Sequence, residues 1–376
     1  MTIKKKSGNK GEWSEFYVFL RLLSDGEVFG ADDMLNVNRD VHYHIKGIET
    51  ASKGNPVEYI INKEKKMVYA KGVLHLDPLP QKEYAKEAER LLNEIRISTG
   101  TCSFDFAEKF MEKIGRVKLK ASSAKKEDVR LILEDPRAGG TVKMGFSIKS
   151  HIGSPPTLLN PSKRTNFIFE LHGANDETMK NANSFIRAAP AAYRAETHQG
   201  NSSDIRKMMD ILKERGVEFS YAGMSNPIFR NNLMIIDSDL PEIVSKMLLI
   251  FYSGKGTDVT KICKIITEEN PFGFDFSKKQ PYYNLKIKKL LSSVATGMVP
   301  GTPWMGEEEA NGGYLAVKED GAIVCYNLYD RKDFEEYLFK NTKLDSPSTT
   351  RYDYGYVYKE DGRYMLKLCL QIRFKN

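Results

Sequence analysis

Two apolar runs flanking a pair of glycines constrain this chain more than any other feature. Val129-Arg130-Leu131-Ile132-Leu133 and Met144-Gly145-Phe146-Ser147-Ile148-Lys149 stand on either side of Gly139-Gly140. Two such β-rich segments around a glycine turn read as an antiparallel hairpin. With the turn centred near Ala138-Gly139, antiparallel pairing sets Asp128 opposite Lys149 at the open end. The two-residue strand period then keeps Ser147 on the face of Lys149 and sends Phe146 and Ile148 the other way, toward a core. A carboxylate and an ammonium on one face have two readings. One is a cross-strand ion pair of modest energy. The other is an oxygen ligand for Mg²⁺ beside a cation that orients water and offsets phosphate charge, which is what phosphodiester hydrolysis needs. Asp135, in Glu134-Asp135-Pro136, is the rival aspartate. It sits beside the turn, so an extended strand at ~3.3 Å per residue leaves it ~20 Å from Lys149.

The chain has 376 residues, room for two or three compact units. Its 57 basic and 50 acidic side chains leave a net charge of +7, which suits an anionic partner. One basic run, Lys4, Lys5, Lys6 and Lys10, leads the chain; another, Arg116, Lys118, Lys120, Lys125 and Lys126, runs into Asp128. Solvated surface explains the first, whereas the position of the second favours phosphate contact. Cys102, Cys263, Cys325 and Cys369 show no paired spacing, which excludes a structural zinc framework of Cys-x-x-Cys type and a disulfide scaffold and leaves reduced thiols. No apolar run approaches the ~20 residues of a membrane span, so the expected setting is the cytoplasm. His42 and His44 share one face of a strand, but the sequence sets no third ligand nearby, and they read as ordinary surface or core histidines.

Along the chain, Asn9 and Glu12 form a capping-box pattern at the start of a helix. Trp13, Phe16, Tyr17, Leu20 and Leu23 continue it at helical spacing, and Asp25-Gly26 ends it. Capping explains Glu12; Glu15, on the flank of the apolar stripe, has no such local role and could reach a metal held by a neighbouring sheet. Strand-like runs follow to Lys71, then helices near 81–96 and 104–114, then the hairpin. The loop after it offers Ser150, Asn160, Lys163, Arg164 and Asn166 as readers of phosphates or bases, or simply as a surface connection. Further helices are expected at 176–187, 203–215 and 241–253, with a strand at Leu233-Met234-Ile235-Ile236. Residues 296–313 read as a loop, and Asp320-Gly321 and Asp361-Gly362 mark two C-terminal hairpins.

Several segments together resemble the HpaII-type restriction endonucleases. They are Asn9-Lys10-Gly11-Glu12-Trp13-Ser14-Glu15, Gly145-Phe146-Ser147-Ile148-Lys149-Ser150, Pro156-Thr157-Leu158-Leu159-Asn160 and Thr165-Asn166-Phe167. Near the C-terminus, Phe334-Glu335-Glu336-Tyr337-Leu338-Phe339, Pro347-Ser348-Thr349 and Leu370-Gln371-Ile372-Arg373-Phe374 agree. The resemblance implies a PD-(D/E)XK nuclease of α/β (α+β) class, a mixed β-sheet flanked by helices. It implies a nuclease region over 1–295 containing the catalytic hairpin 128–149, and a hairpin-rich region over 296–376 that could pack on the same domain. It further implies Mg²⁺-dependent cutting of double-stranded DNA at a short palindrome, CCGG in the namesake, leaving 5′ phosphates. A homodimer or two successive nicks would serve a palindrome, and a cognate DNA methyltransferase would accompany the enzyme.

On that pattern Asp128 is the metal-binding aspartate and Lys149 the lysine, while Ser147 fills the slot where most members carry Asp or Glu. Glu15, or else Glu12, is the candidate to replace the missing carboxylate. Two rival readings remain: a DNA-binding protein without catalysis, in which Ser147 marks a lapsed site, and an acyl hydrolase using Ser147 and Lys149.

Overall fold

The structure is a computed structural model, and it describes residues 6–50, 57–72, 76–116, 118–119, 127–135, 139–196, 204–327 and 331–375. Lys4, Lys5, Lys120, Lys125 and Lys126 of the basic runs lie outside the described residues, as does the hairpin tip at 136–138. The chain begins with α1 (Lys10–Asp25), β1 (Glu27–Ala31), β2 (Val37–Glu49), β3 (Glu58–Asn62), β4 (Met67–Lys71), β5 (Leu79–Pro80), α2 (Gln81–Ile97) and α3 (Asp105–Lys113). The hairpin of β6 (Val129–Asp135) and β7 (Gly140–Ser150) follows. Then come β8 (Thr157–Leu159), β9 (Asn166–His172), α4 (Asp176–Asn183), α5 (Ile205–Glu214) and β10 (Glu218–Met224). Four helices succeed them, α6 (Pro227–Ile236), α7 (Leu240–Tyr252), α8 (Val259–Glu269) and α9 (Tyr282–Thr296). The last part adds β11 (Gly313–Val317), β12 (Ile323–Asn327), α10 (Arg331–Asn341), β13 (Thr342–Leu344), α11 (Thr349–Tyr352), β14 (Val357–Glu360), β15 (Arg363–Cys369) and β16 (Ile372–Phe374).

Local chemistry accounts for α1 in full. The Asn9 side chain accepts from the Glu12 amide at 3.0 Å, and the Glu12 carboxylate accepts from the Asn9 amide at 3.0 Å. This reciprocal box satisfies two donors that a helix start otherwise leaves bare. Trp13, Phe16, Tyr17, Leu20 and Leu23 are all buried, and Gly26 closes the helix in the left-handed region. Replacing Asn9 with Ala is expected to cost about 1 kcal/mol of stability. A urea melt of the two proteins checks this, with an unchanged midpoint as the contrary result.

A nine-stranded mixed sheet carries the architecture, in the order β1-β12-β11-β7-β6-β2-β3-β4-β5, and it curls until β1 also pairs with β2. β7 lies near its middle, antiparallel to β6 and parallel to β11. Both faces of β7 are covered, which explains why Met144 through Ile148 are all buried. Phe146 and Ile148 join the core beneath α1, α2 and α3, with Leu315 and Val317 of β11 beside them. Tyr314 and Ala316 project from the opposite face into a second core built from β9 and helices α4 to α10. Residues from 296 onward are woven into the rest: β11 and β12 stand between β7 and β1, β15 pairs with β9, and β16 with β8. The mixed sheet flanked by helices is therefore the fold. Among the described residues no helix is long and apolar enough to cross a membrane.

Two expectations from sequence need correction. Asp135 pairs with Gly140 and Val129 with Phe146, so the loop is four residues, 136–139, and continuing the ladder sets Asp128 across from Ser147 rather than Lys149. The glycines do not form a two-residue turn: Gly139 adopts φ 64, while Gly140 already belongs to the strand. Leu233 to Ile236 is not a strand but the end of α6. Asn226 caps that helix by accepting from the Ile228 and Phe229 amides, Pro227 fills its first turn, and Phe229 and Leu233 are buried one turn apart.

Candidate active site

Asp128 lies at the mouth of the hairpin, where its backbone amide donates to the Phe146 carbonyl at 2.9 Å. Its side chain turns back onto β7. The Ile148 amide donates to Asp128 Oδ2 at 2.7 Å, and Ser147 Oγ donates to the same oxygen at 3.2 Å. Two converging donors fix the direction of this half-buried carboxylate. Ser147 is 1% exposed and gives its proton to Asp128. It is a positioning donor here, and the acyl-hydrolase reading, which needs an accessible nucleophile, fails on that burial.

The neighbouring acid is committed elsewhere. Glu127 is buried and accepts from Arg130 at 2.7 Å, with its carboxylate resting on Gly145. A Cβ at position 145 would stand 2.4 Å from Glu127 Oε2, so glycine is required by close approach. The Gly145 amide donates to Asn311 Oδ1 at 2.8 Å, which pins the strand next to the site.

Beyond Ser147 the strand end meets α1. Ser14 Oγ and Ser150 Oγ share a hydrogen bond of 2.9 Å, joining the helix to the last residue of β7. A cleft of about 850 Å³ opens there, lined among others by Glu12, Glu15, Lys149, Ser150, Thr157 and Asn160. Glu12 serves the helix cap at the same time. Glu15 faces positive charge: it is among the groups acting on Arg116, whose guanidinium packs 4.3 Å from the Phe19 ring centre and 5.5 Å from that of Phe16. Burial lowers Arg116 from its usual value, and Tyr59 and Glu15 act in the opposite direction.

The structure thus brings Glu12, Glu15, Lys149, Ser150 and Asn160 into one cleft, with Asp128 and Ser147 joined to its wall through the Ile148 amide. Lys163 and Arg164 sit exposed on the following 3₁₀ turn, outside that lining. Asn166 is placed differently: it is 2% exposed, and its amide donates to the Tyr352 carbonyl at 2.9 Å. Its Nδ2 ties β9 to α11, and the side chain is buried instead of facing solvent.

Sequence reading missed the layer behind the site. Tyr314 is the ladder partner of Ser147 on β11, fully buried, and desolvation raises its hydroxyl far above the usual range, with Tyr337, Tyr326 and the Asp128 charge adding to the effect. Next to it Tyr337 shares a 3.2 Å hydrogen bond with His151 Nε2. Burial pushes His151 down to about 4, so the ring is neutral at physiological pH. Nothing local in the sequence marks this group, because β11 follows β7 by more than 160 residues.

These carboxylates and the lysine are the donor set that hydrolysis of a phosphodiester calls for, and comparison with known proteins decides the lineage. A family profile described as HpaII restriction endonuclease matches residues 9–374. The chain belongs to that family. The type II restriction enzyme HpaII of Haemophilus parainfluenzae is 36% identical to it over 370 residues, 98% of each chain. No solved structure matches the chain. As a member of the HpaII family the chain is a type II restriction endonuclease, a site-specific deoxyribonuclease that acts on double-stranded DNA.

Hard oxygen donors suit Mg²⁺, which is commonly held by only one or two carboxylates together with water and phosphate oxygens. Asp128, with its carboxylate fixed by the Ile148 amide, and Glu15, at the cleft wall, fit that requirement. They do not form a compact three-ligand cage with Glu12. Among the described residues the group of three whose ligand atoms lie within 4.8 Å of one another is Glu27, His42 and His44, on β1 and β2.

Proposed function

We propose that this endonuclease cuts CCGG in double-stranded DNA with Mg²⁺, using Asp128 and Glu15 as metal ligands and Lys149 as the catalytic cation. The observation that carries this reading is the shared cleft. Lys149 and Glu15 line one opening, and Asp128 is locked by the backbone of the residue preceding Lys149.

Asp128 and Glu15 would hold Mg²⁺, which when bound supplies Lewis-acid stabilisation of charge on the phosphate and the leaving oxygen. Lys149 orients the attacking water and offsets negative charge at the scissile phosphate. Ser147, through its bond to Asp128, holds that carboxylate in a fixed direction. Ser150 and Asn160 stand where the backbone of a bound duplex would pass, and Lys163 and Arg164 extend a cationic rim beyond them. The bond to the 3′ oxygen breaks, so the products carry 5′ phosphates. Cleavage of both strands of a palindrome is accomplished by a homodimer or by two successive nicks. A cognate methyltransferase protects the host's own sites in the cytoplasm.

Ser147 in place of the usual carboxylate favours one alternative, a sequence-specific binder that has lost catalysis. Plasmid carrying CCGG sites, incubated with the protein and Mg²⁺, separates the two. Discrete fragments whose ends map within CCGG and carry 5′ phosphates are expected; intact but retarded plasmid would establish the binder.

A further inference from the structure

We propose that Glu27, His42 and His44 form a second metal site, structural rather than catalytic, that takes a borderline transition-metal ion of the Zn²⁺ class across the seam where the curled sheet closes. The β1–β2 register makes it. Glu27 pairs directly with His44, and His42 lies two residues back on the same face of β2. The sequence alone showed two histidines without a third ligand; pairing of β1 with β2 provides it.

The geometry is close to what such an ion needs. All three ligand atoms lie within 4.8 Å of one another, and His42 Nε2 is 3.0 Å from Glu27 Oε2. Tetrahedral ligands at ~2.0–2.1 Å from zinc stand roughly 3.3 Å apart, so partly exposed side chains need only small rotations to close on an ion. The His42 ring is already held in place, stacked on Phe29 at 4.7 Å and 15°. Two imidazoles and one carboxylate favour zinc-like ions over Mg²⁺, which prefers oxygen. Bound there, the ion would tie β1 to β2 just beside the register shift between Phe29 and Gly30.

Lys63 is the competitor. Its Nζ stands 3.1 Å from His44 Nδ1. An ammonium can only donate, so Nδ1 accepts and the ring's proton resides on Nε2. An ion therefore enters only as Lys63 swings away, and in the metal-free protein Lys63 supplies the positive charge that the ion would bring.

The test uses the full chain stripped with a chelator and titrated with Zn²⁺ alone by calorimetry, with a thermal melt alongside. One ion per chain is expected, with a rise in Tm of roughly 3 °C or more at saturation and no competition from millimolar Mg²⁺. The double variant His42→Gln/His44→Gln should bind at least tenfold more weakly while still cutting DNA with Mg²⁺, which shows that it is folded. Lys63→Met should bind severalfold more tightly, an effect that adventitious surface binding would not show. The proposal is overturned if Zn²⁺ does not bind the stripped protein at tens of micromolar, or if the double variant binds as the parent does. Loss of binding in Asp128→Asn instead would place the ion in the active cleft and equally overturn it.

Discussion

Lys149→Ala is expected to lower Mg²⁺-dependent cleavage by on the order of 10³-fold, equivalent to ~4 kcal/mol of barrier, with the fold and DNA binding kept. On the proposed reading the size follows from what is removed, a cation at the reacting phosphate, where a fixed charge is worth more than in bulk solvent. Retention of the fold follows from position. Lys149 is half-buried near the end of β7, its ladder partner on β11 is Ala316, and the core below is filled by Ile148 and Val317. Truncating its side chain opens no cavity in that core, so stability should change by no more than about 1 kcal/mol. Single-turnover cleavage of a CCGG duplex, a mobility shift of the same duplex and a thermal melt measure the three quantities. Undiminished cleavage would show that the chemistry lies elsewhere, and joint loss of binding and melting temperature would make Lys149 a structural residue.

How far such a site can be read from sequence depends on how local its determinants are. The first helix was legible to the residue, because the capping box of Asn9 and Glu12 and the spacing of Trp13, Phe16 and Leu20 are all contained within it. The hairpin was legible as an element but not in register. Four loop residues rather than two turn residues move Asp128 from Lys149 to Ser147, and a β-register is decided by loop length as much as by pattern. α6 was misread because Leu233 to Ile236 is apolar enough for a strand, while the deciding cap lies upstream at Asn226. Asn166 looked like a loop amide able to read bases. Its partners, the Tyr352 and Asp353 carbonyls, arrive from nearly 190 residues away and turn it into an internal tie. The parallel pairing of β7 with β11 and the meeting of Glu27 with the two histidines are likewise products of tertiary contact, and no short-range pattern encodes them.

Glu15→Gln is expected to raise the Mg²⁺ concentration needed for half-maximal cleavage by ~10-fold to 100-fold, while Glu12→Gln leaves both that requirement and the stability in place, because the glutamine oxygen still accepts at the helix cap. Both residues line the cleft, and the family's usual carboxylate position is occupied by Ser147, so one of them has to supply the second acidic ligand if the site is to work as proposed. Their surroundings divide the roles. Glu12 spends its carboxylate on the Asn9 amide, an acceptor role that glutamine can also fill. Glu15 lies one turn further on, beside the Arg116 guanidinium that rests on Phe16 and Phe19. Asp128 and Glu15 reach the cleft region from different elements, the hairpin mouth and α1. α1 covers the face of the sheet bearing Phe146 and Ile148, Ser147 points to the opposite face, and the two sides meet only past the end of the strand, where Ser14 bonds Ser150. Mg²⁺ titrations of cleavage by the two variants, with urea melts of both, decide the matter: a shifted metal requirement in Glu12→Gln and an unshifted one in Glu15→Gln would reassign the ligand to Glu12 and require the helix cap to open during catalysis.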